Sequence, residues 1–246
     1  MKAYGGDLAF IHDVGYGGFA KQAGEQLLKI FIKEQMYSGL VVDLGCGSGI
    51  WARKLLSAGY DVFGVDISPD MIKLARKAAA NASFECASFL DVRLPQCSVV
   101  TSLGECLCYL FDAKNDLVSL EKLFRRVYSA LELGGLFIFD IVTPRVRKNA
   151  VSEKSFCESD DWSILVEYFA QKSKDDKVWR RGITTFRKVG KLYRRNYEEH
   201  RQRLYESREL APLLRRLGFS VRVVKKYGDY SLLPGRLGFI ARKKQA

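Results

Sequence analysis

The sequence predicts an α/β fold: a mostly parallel β-sheet with helices on both faces and an antiparallel β insertion. Between residues 40 and 141, short apolar runs typical of strands alternate with amphipathic segments typical of helices. Strands joined by helices form right-handed crossovers, so they lie parallel and both sheet faces are covered. After residue 143 the alternation gives way to long strand-like segments joined by short turns, which is typical of antiparallel structure.

The N-terminal region divides into two parts. Residues 1–20 are rich in glycine and aromatic residues and predict an irregular segment with a short helix near 8–11. Residues 21–36 predict a longer helix, because apolar residues recur there at helical spacing.

The predicted strands and helices of the sheet follow in chain order. Five strands are expected at 40–44, 61–66, 83–87, 98–102 and 136–141, and two more at 221–226 and 237–242. Helices are expected near 50–58, 69–80, 115–133 and 207–217. Ser68 and Pro69 mark the start of the second of these helices as N-cap and first-turn residue, and Gly134 and Gly135 are expected to end the third.

The insertion is predicted as three long strands at 163–171, 178–188 and 191–203. A turn rich in Lys and Asp at 173–177 joins the first two, and Val189–Gly190 forms a hairpin turn between the last two.

Length and composition favour one elaborated domain over two independent ones. The chain has 246 residues, 48% of them hydrophobic, which is enough to bury one large core. We find no apolar run of membrane-spanning length and no apolar signal core at the N-terminus, so we expect a cytoplasmic protein that does not insert in a membrane. Six cysteines without a C-x-x-C pair and only two histidines predict no metal site.

The net charge of +12 is unevenly distributed. Residues 1–140 hold 14 Lys and Arg against 16 Asp and Glu, whereas residues 141–246 hold 26 against 12. The basic half is compatible with an anionic substrate, RNA or a membrane surface. The alternative is a solvated surface, which we prefer because the arginines are scattered over both faces of the predicted strands.

The chemistry is concentrated where the first two strands end. The run Val41–Gly49 (VVDLGCGSG) leaves a strand through Asp43 and three alternating glycines, and the second strand ends at Asp66. Glycines let a ligand approach the backbone, and a strand-end acid can accept both hydroxyls of a ribose. Asp43 would repel a pyrophosphate and suits a cofactor with an ammonium group. The alternative is a tight turn that binds no ligand.

This segment, D-x-G-x-G-x-G at Asp43 to Gly49, resembles the hallmark of the class I S-adenosylmethionine-dependent methyltransferases of small-molecule type. The resemblance is clear over residues 39–141 and weaker elsewhere. It implies a seven-stranded sheet of order 3-2-1-4-5-7-6 with the last strand antiparallel. It also implies one methyltransferase domain over 1–246, with an N-terminal lid and helix at 1–36, a cofactor-binding half at 37–143 and a substrate cover at 160–205.

The resemblance implies a role for each residue along the cofactor. Asp43, Gly45, Cys46, Gly47 and Gly49 would hold the methionine portion of S-adenosyl-L-methionine, or of its product S-adenosyl-L-homocysteine, and Asp66 would hold the ribose. Ile67 and Met71 would contact the adenine, although Met71 equally suits ordinary helix packing. Ser88 and Phe89 stand where the family often has an acid for the adenine amino group, and Leu103 and Gly104 would face the sulfonium.

In-line methyl transfer needs alignment and desolvation of the nucleophile, and a base only when the nucleophile must lose a proton. The candidates are His12, Glu105 and His200. A structural role for either histidine, or a solvated position for Glu105, is the alternative.

We expect N- or O-methylation of a small molecule. The alternatives are an RNA or protein methyltransferase, motivated by the basic C-terminal half, and a cofactor-binding module without activity. The sequence leaves the oligomeric state open, with a dimer as one option.

Overall fold

The computed structural model describes residues 3–149, 154–169 and 177–244. The strands within these ranges are β1 (Leu40–Leu44), β2 (Asp61–Asp66), β3 (Ser83–Cys86), β4 (Cys97–Ser102), β5 (Leu131–Val142), β6 (Lys154–Ser159), β7 (Trp162–Phe169), β8 (Val178–Val189), β9 (Leu192–Arg203), β10 (Phe219–Val224), β11 (Lys226–Tyr227), β12 (Tyr230–Ser231) and β13 (Arg236–Lys243). The helices are α1 (Gly6–Gly15), α2 (Gly18–Lys33), α3 (Ile50–Ser57), α4 (Pro69–Ala78), α5 (Leu117–Ala130) and α6 (Ser207–Arg216), with 3-10 turns at Cys106–Cys108 and Pro144–Asn149.

The main sheet has the order β3-β2-β1-β4-β5-β13-β10. Strands β3, β2, β1, β4 and β5 are parallel, and β13 is antiparallel to both of its neighbours. Counted within this sheet, the order is 3-2-1-4-5-7-6, which confirms the predicted fold class.

The central strands are apolar runs because they are covered on both sides. Every residue of β4 is buried, as is β5 from Gly134 to Val142. Helix α5 packs Leu123 and Phe124 into the larger core cluster on one face, and helices α2 and α3 cover the other face. This arrangement leaves the carboxyl ends of β1, β2, β4 and β5 at one edge of the sheet.

Strand β5 begins earlier than predicted. It starts at Leu131, directly after α5, so Gly134 and Gly135 lie inside the strand and do not end the helix. The register between β4 and β5 shifts between Cys97 and Val99, and a Cβ on Gly135 would lie 2.8 Å from the carbonyl oxygen of Ser98. The glycines therefore serve an irregular strand start with a close backbone approach.

The insertion forms a separate antiparallel sheet of order β6-β7-β8-β9. The sequence prediction missed β6, an edge strand whose six residues are all exposed and which therefore lacks an alternating apolar pattern. The hairpin of β11 and β12 was also missed. The predicted turn at 173–177, except for Lys177, and the last two residues of the predicted strand 163–171 lie outside the described residues.

Helix α1 lies between the main domain and the insertion and is longer than predicted. Its Asp7, only 4% exposed, accepts hydrogen bonds from Arg194 Nε at 2.6 Å, from Arg187 Nη1 at 3.3 Å and from Asn196 Nδ2. Just before α1, Gly5 N donates to Glu198 Oε1 at 2.7 Å, and the carbonyl of Tyr4 accepts from Ser68 Oγ at 3.0 Å. The N-terminal segment is thus fastened to β9 on one side and to the start of α4 on the other. In the described residues we find no helix that is both long and apolar enough to span a bilayer.

Candidate active site

A cavity of about 340 Å³ lies where the parallel strands end. Ligands of open α/β sheets bind at this edge. The cavity is lined by most of the residues that the sequence singled out: His12, Asp43, Gly45, Cys46, Gly47, Asp66, Ile67, Met71, Ser88, Phe89, Leu103, Gly104 and Glu105. Gly49 and His200 are not among the lining residues.

The three glycines of the loop differ in the space around them. Gly45, with φ of +77°, donates its N–H to the carbonyl of Val65 at 2.7 Å, and a Cβ there would lie 2.5 Å from Cys106 Sγ. Gly47 has φ of +54°, yet nothing lies within 4 Å of the position of its Cβ. Gly47 therefore opens towards the cavity. A Cβ on Gly49, in contrast, would lie 2.9 Å from Cα of Ala75 of α4, so this glycine permits close helix packing, and its place along the cofactor stays a prediction.

Asp66 is oriented by two backbone amides. Gly47 N donates to Oδ2 at 2.9 Å and Ser68 N donates to Oδ1 at 2.8 Å. Burial raises the pKa of this carboxyl, and the amide hydrogen bonds oppose that shift. Each carboxylate oxygen keeps a second lone pair for a further donor, so the group can receive two adjacent hydroxyls.

Asp43 ends a buried chain of hydrogen bonds. Trp51 Nε1 donates to Thr101 Oγ1 at 3.3 Å, and Thr101 Oγ1 donates to Asp43 Oδ1 at 2.7 Å. Burial raises the pKa of Asp43 to about 7. A ligand cation at this position would favour the ionised carboxylate and thereby lower its pKa.

A third acid, Asp140 of β5, holds the loop that follows β4. Its two oxygens accept from Gly104 N at 3.0 Å and from Glu105 N at 2.8 Å. Burial, reinforced by the charge of Glu105, raises the pKa of Asp140 to about 7. Sequence reasoning passed over this residue, although a lone carboxylate in the apolar run Leu136–Val142 was a usable signal.

Glu105 is neither solvated nor free. Its side chain is 14% exposed, its backbone is left-handed with φ of +57°, and its carboxylate accepts from Arg236 Nε and from Gln202 Nε2. The solvated alternative is therefore wrong. Because Arg236 already balances the charge of this carboxylate, the residue is suited to shaping the cavity.

Ser88 brings in a carboxylate that the sequence did not reveal. Its Oγ donates to Asp112 Oδ2 at 2.6 Å, and Asp112 also lines the cavity. At the position after β3 where the family often has an acid, this chain therefore has Ser88 hydrogen-bonded to Asp112, a carboxylate in the loop before α5. No local motif marks Asp112, because the two residues are 24 positions apart.

The two histidines have different surroundings. His12 lines the cavity, its Nδ1 is enclosed without a hydrogen-bond partner among the described residues, and burial lowers its pKa to about 4. His200 is fully buried and packs edge-on against the rings of Tyr4, Tyr109 and Phe111. His200 Nε2 lies 3.0 Å from Glu198 Oε2. His200 therefore supports the aromatic wall from behind, and the expectation that it contacts substrate is wrong.

Comparison with known proteins identifies the family. A model described as a methyltransferase domain matches residues 41–135, the stretch that contains the glycine loop, Asp66 and the strand-4 loop. The chain is an S-adenosylmethionine-dependent methyltransferase. YqeM of Bacillus subtilis, named as a candidate methyltransferase, is 27% identical to this methyltransferase over 216 residues, which cover 84% of this chain and 85% of YqeM.

Solved structures show the same fold as this methyltransferase. An S-adenosylmethionine-dependent methyltransferase from Clostridium acetobutylicum superposes with a TM-score of 0.80 at 19% identity, covering 96% of this chain and 98% of the other. The sugar N-methyltransferase KedS8 from Streptoalloteichus superposes with a TM-score of 0.76 at 17% identity, covering 100% of this chain and 97% of the other.

The residues of this methyltransferase fit S-adenosylmethionine. Added Cβ atoms at Gly47 and Gly104 would meet nothing within 4 Å, so the backbone there is open to a ligand. Asp66 has lone pairs left for a ribose diol, and Asp43 offers an anion for an ammonium group. The described residues contain no group of three metal-ligating side chains that could hold an ion.

Proposed function

We propose that this methyltransferase methylates a nitrogen or oxygen of a small molecule enclosed in the cavity. One observation carries the proposal: the cofactor residues and the aromatic residues of the N-terminal segment line one cavity of about 340 Å³. This volume is in the range of small-molecule sites. The segment before and within α1 is tied to both the main domain and β9, which favours an enclosed substrate over a polymer.

The roles of the chain's residues follow from their positions. When bound, S-adenosylmethionine supplies an electrophilic methyl group on its sulfonium. Asp66 would accept hydrogen bonds from the ribose, and Asp43 would face the amino group of the methionine portion. Ser88 and Asp112 stand at the adenine end, and Gly104, held by Asp140, would let the backbone lie close to the sulfur.

His12 is the group best placed to accept a proton from the nucleophile. Its lowered pKa keeps the ring neutral at physiological pH, so a ring nitrogen can accept a hydrogen bond from an N–H or O–H group. Glu105 would act as a positioning residue, since its charge is already balanced by Arg236 and Gln202 also donates to it. KedS8, a sugar N-methyltransferase by name, has the same fold over its whole length, which is compatible with a small polar substrate here.

Asp66→Ala provides the direct test. We expect S-adenosylhomocysteine to bind the wild-type enzyme in calorimetry, and Asp66→Ala to weaken binding by about 100-fold, because two hydrogen bonds to a charged group are lost. Asp61→Ala, at the exposed opposite end of β2, is the matched control and should bind normally. The enzyme should also transfer methyl groups to members of a panel of small amines and alcohols. Normal binding by Asp66→Ala, or transfer to RNA or protein alone, would contradict the proposal.

A further inference from the structure

Arg181 of β8 faces the substrate end of the cavity. It pairs in register with His200 on β9 and with Tyr168 on β7, the inward-facing positions of the insertion sheet. Its guanidinium carbon lies 5.4 Å from the centre of the Tyr109 ring, and the residue lines the cavity together with Tyr4 and His12.

No carboxylate is paired with Arg181 among the described residues. Its Nη2 donates to Tyr109 Oη, its Nε is enclosed without a partner, and its Nη1 has no hydrogen bond within the described ranges. The acid whose charge reaches it is Glu105, and that carboxylate is already held by Arg236 and Gln202. Enclosing a cation without a counter-charge is unfavourable, so the fold retains Arg181 at a cost.

Neighbouring arginines show the contrast. Arg187 and Arg194, on the same inward face of the insertion sheet, both bind Asp7, and Arg236 binds Glu105. Arg181 instead donates to the phenol of Tyr109, which lies beside that of Tyr4, and both phenols stay neutral because burial raises their pKa values.

The hydroxyl groups of Tyr4 and Tyr109 have two hydrogens between them, and one of these has no acceptor in the described part of the chain. Tyr4 Oη and Tyr109 Oη are 3.1 Å apart, and either can donate to the other. One phenolic hydrogen serves this contact, and Arg181 donates to Tyr109, so the second phenolic hydrogen has no acceptor among the described residues. An arginine fork and a spare O–H therefore converge on the same part of the cavity.

We propose that Arg181, with the spare hydroxyl of Tyr4 or Tyr109, binds a carboxylate of the substrate, which is then a small amine or alcohol that also carries a carboxylate. The assignment rests on the proposed function. A planar guanidinium matches a carboxylate in shape, and the single unpaired positive charge matches a monoanion better than a phosphate dianion. Binding of the anion would also offset the charge of Arg181, one of the causes that lower the pKa of His12, and so make His12 a stronger base when substrate is present.

The experiment measures acetate binding by saturation-transfer NMR, with and without S-adenosylhomocysteine. Acetamide is the neutral probe of the same shape. Inorganic phosphate, the dianion, has no carbon-bound hydrogen to observe and is therefore added as a competitor that displaces acetate. We expect acetate to bind, acetamide to bind at least about tenfold more weakly, and Arg181→Gln to lose acetate binding by a similar factor. Arg195→Gln, at an exposed position on the outer face of β9, should behave as wild type. In the transfer assay, carboxylate substrates should be methylated and their amides should not.

Several outcomes would overturn the assignment: phosphate binding more tightly than acetate, equal binding of acetate and acetamide, or unchanged acetate binding by Arg181→Gln.

The thermal midpoint of ligand-free Arg181→Met separates binding from a structural role. An unpartnered cation predicts an unchanged or higher midpoint, whereas a fall of several degrees would mean that Arg181 stabilises the fold. If the wild type did not bind S-adenosylhomocysteine, the proposed function would be refuted. Acetate binding to the ligand-free enzyme would still decide the role of Arg181.

Discussion

The two ends of the cavity differ in charge and in how the chain builds them. The cofactor end holds three acids around open glycine backbone: Asp43 and Asp140, which are buried, and Asp66, which is half-buried. The substrate end holds aromatic rings and the enclosed cation of Arg181. A cofactor that bears a positive charge is thus matched by anions at one end, and the other end is arranged for a ligand of opposite sign.

The largest expected effect on cofactor affinity comes from Gly47→Ala, compared with Gly59→Ala, and it would sharpen this contrast. Both glycines have positive φ, +54° and +87°, and neither Cβ would meet an atom within 4 Å. Each substitution should therefore cost about 1 kcal/mol of stability through left-handed strain. Because only Gly47 opens into the cofactor end, Gly47→Ala should weaken S-adenosylhomocysteine binding by about 30-fold in calorimetry, as its methyl group occupies ligand space.

Gly59, at the exposed end of α3, is the control and should leave the affinity unchanged. Equal affinity of the two variants would place the cofactor elsewhere in the cavity.

A smaller effect is expected from pH, through Asp43. The pKa of Asp43 is about 7 in the free enzyme, and the ligand's ammonium group should lower it, so binding releases a proton. The affinity for S-adenosylhomocysteine should accordingly fall as the pH drops below 7, by up to about tenfold per pH unit. Calorimetry between pH 5.5 and 8 at about half-unit steps measures this slope.

Asp43→Asn isolates the contribution, because it leaves Asp140, whose pKa is also about 7, in place. Binding should become weaker and nearly independent of pH. An unchanged slope in Asp43→Asn would assign the titration to Asp140 instead.

The smallest effect concerns Asp7, which fastens α1 to strands β8 and β9 of the insertion sheet. Arg194 lowers the pKa of Asp7, so the contribution of this contact is present above the ordinary carboxyl pKa and is lost as the pH falls through the lowered value. Asp7→Asn at neutral pH should increase hydrogen exchange of residues 3–15 by about threefold.

Asp13→Asn, on the same helix and without an ion pair among the described residues, is the control. If both variants exchange at the wild-type rate, Asp7 does not hold α1 in place.

The same contrast explains how far sequence reasoning reached. Most cofactor-end residues stand in short motifs at strand ends, and a family resemblance implied both their roles and the strand order. The substrate end brings together Tyr4, His12, Tyr109, Arg181 and Arg236, which are separated by up to 232 positions. These residues meet because the insertion folds back over the main sheet, and no local sequence pattern predicts that packing.

Two errors have local physical causes. The paired glycines of β5 resemble a helix stop because glycine is common after helices, but here they permit a close backbone approach to Ser98. His200 was a candidate base because it stands on the third predicted strand of the insertion, within the expected substrate cover, whereas the register of β9 buries its ring against Tyr4.

The hydrogen-bond chain from Trp51 through Thr101 to Asp43 gives the enzyme an intrinsic optical reporter. An indole that both lines the cavity and is linked to the cofactor carboxylate will change its emission when that carboxylate gains a counter-ion. The other two tryptophans, Trp162 and Trp179, belong to the insertion sheet. Replacing them with phenylalanine would leave Trp51 as the single tryptophan, through whose emission occupancy could be followed in real time without a label.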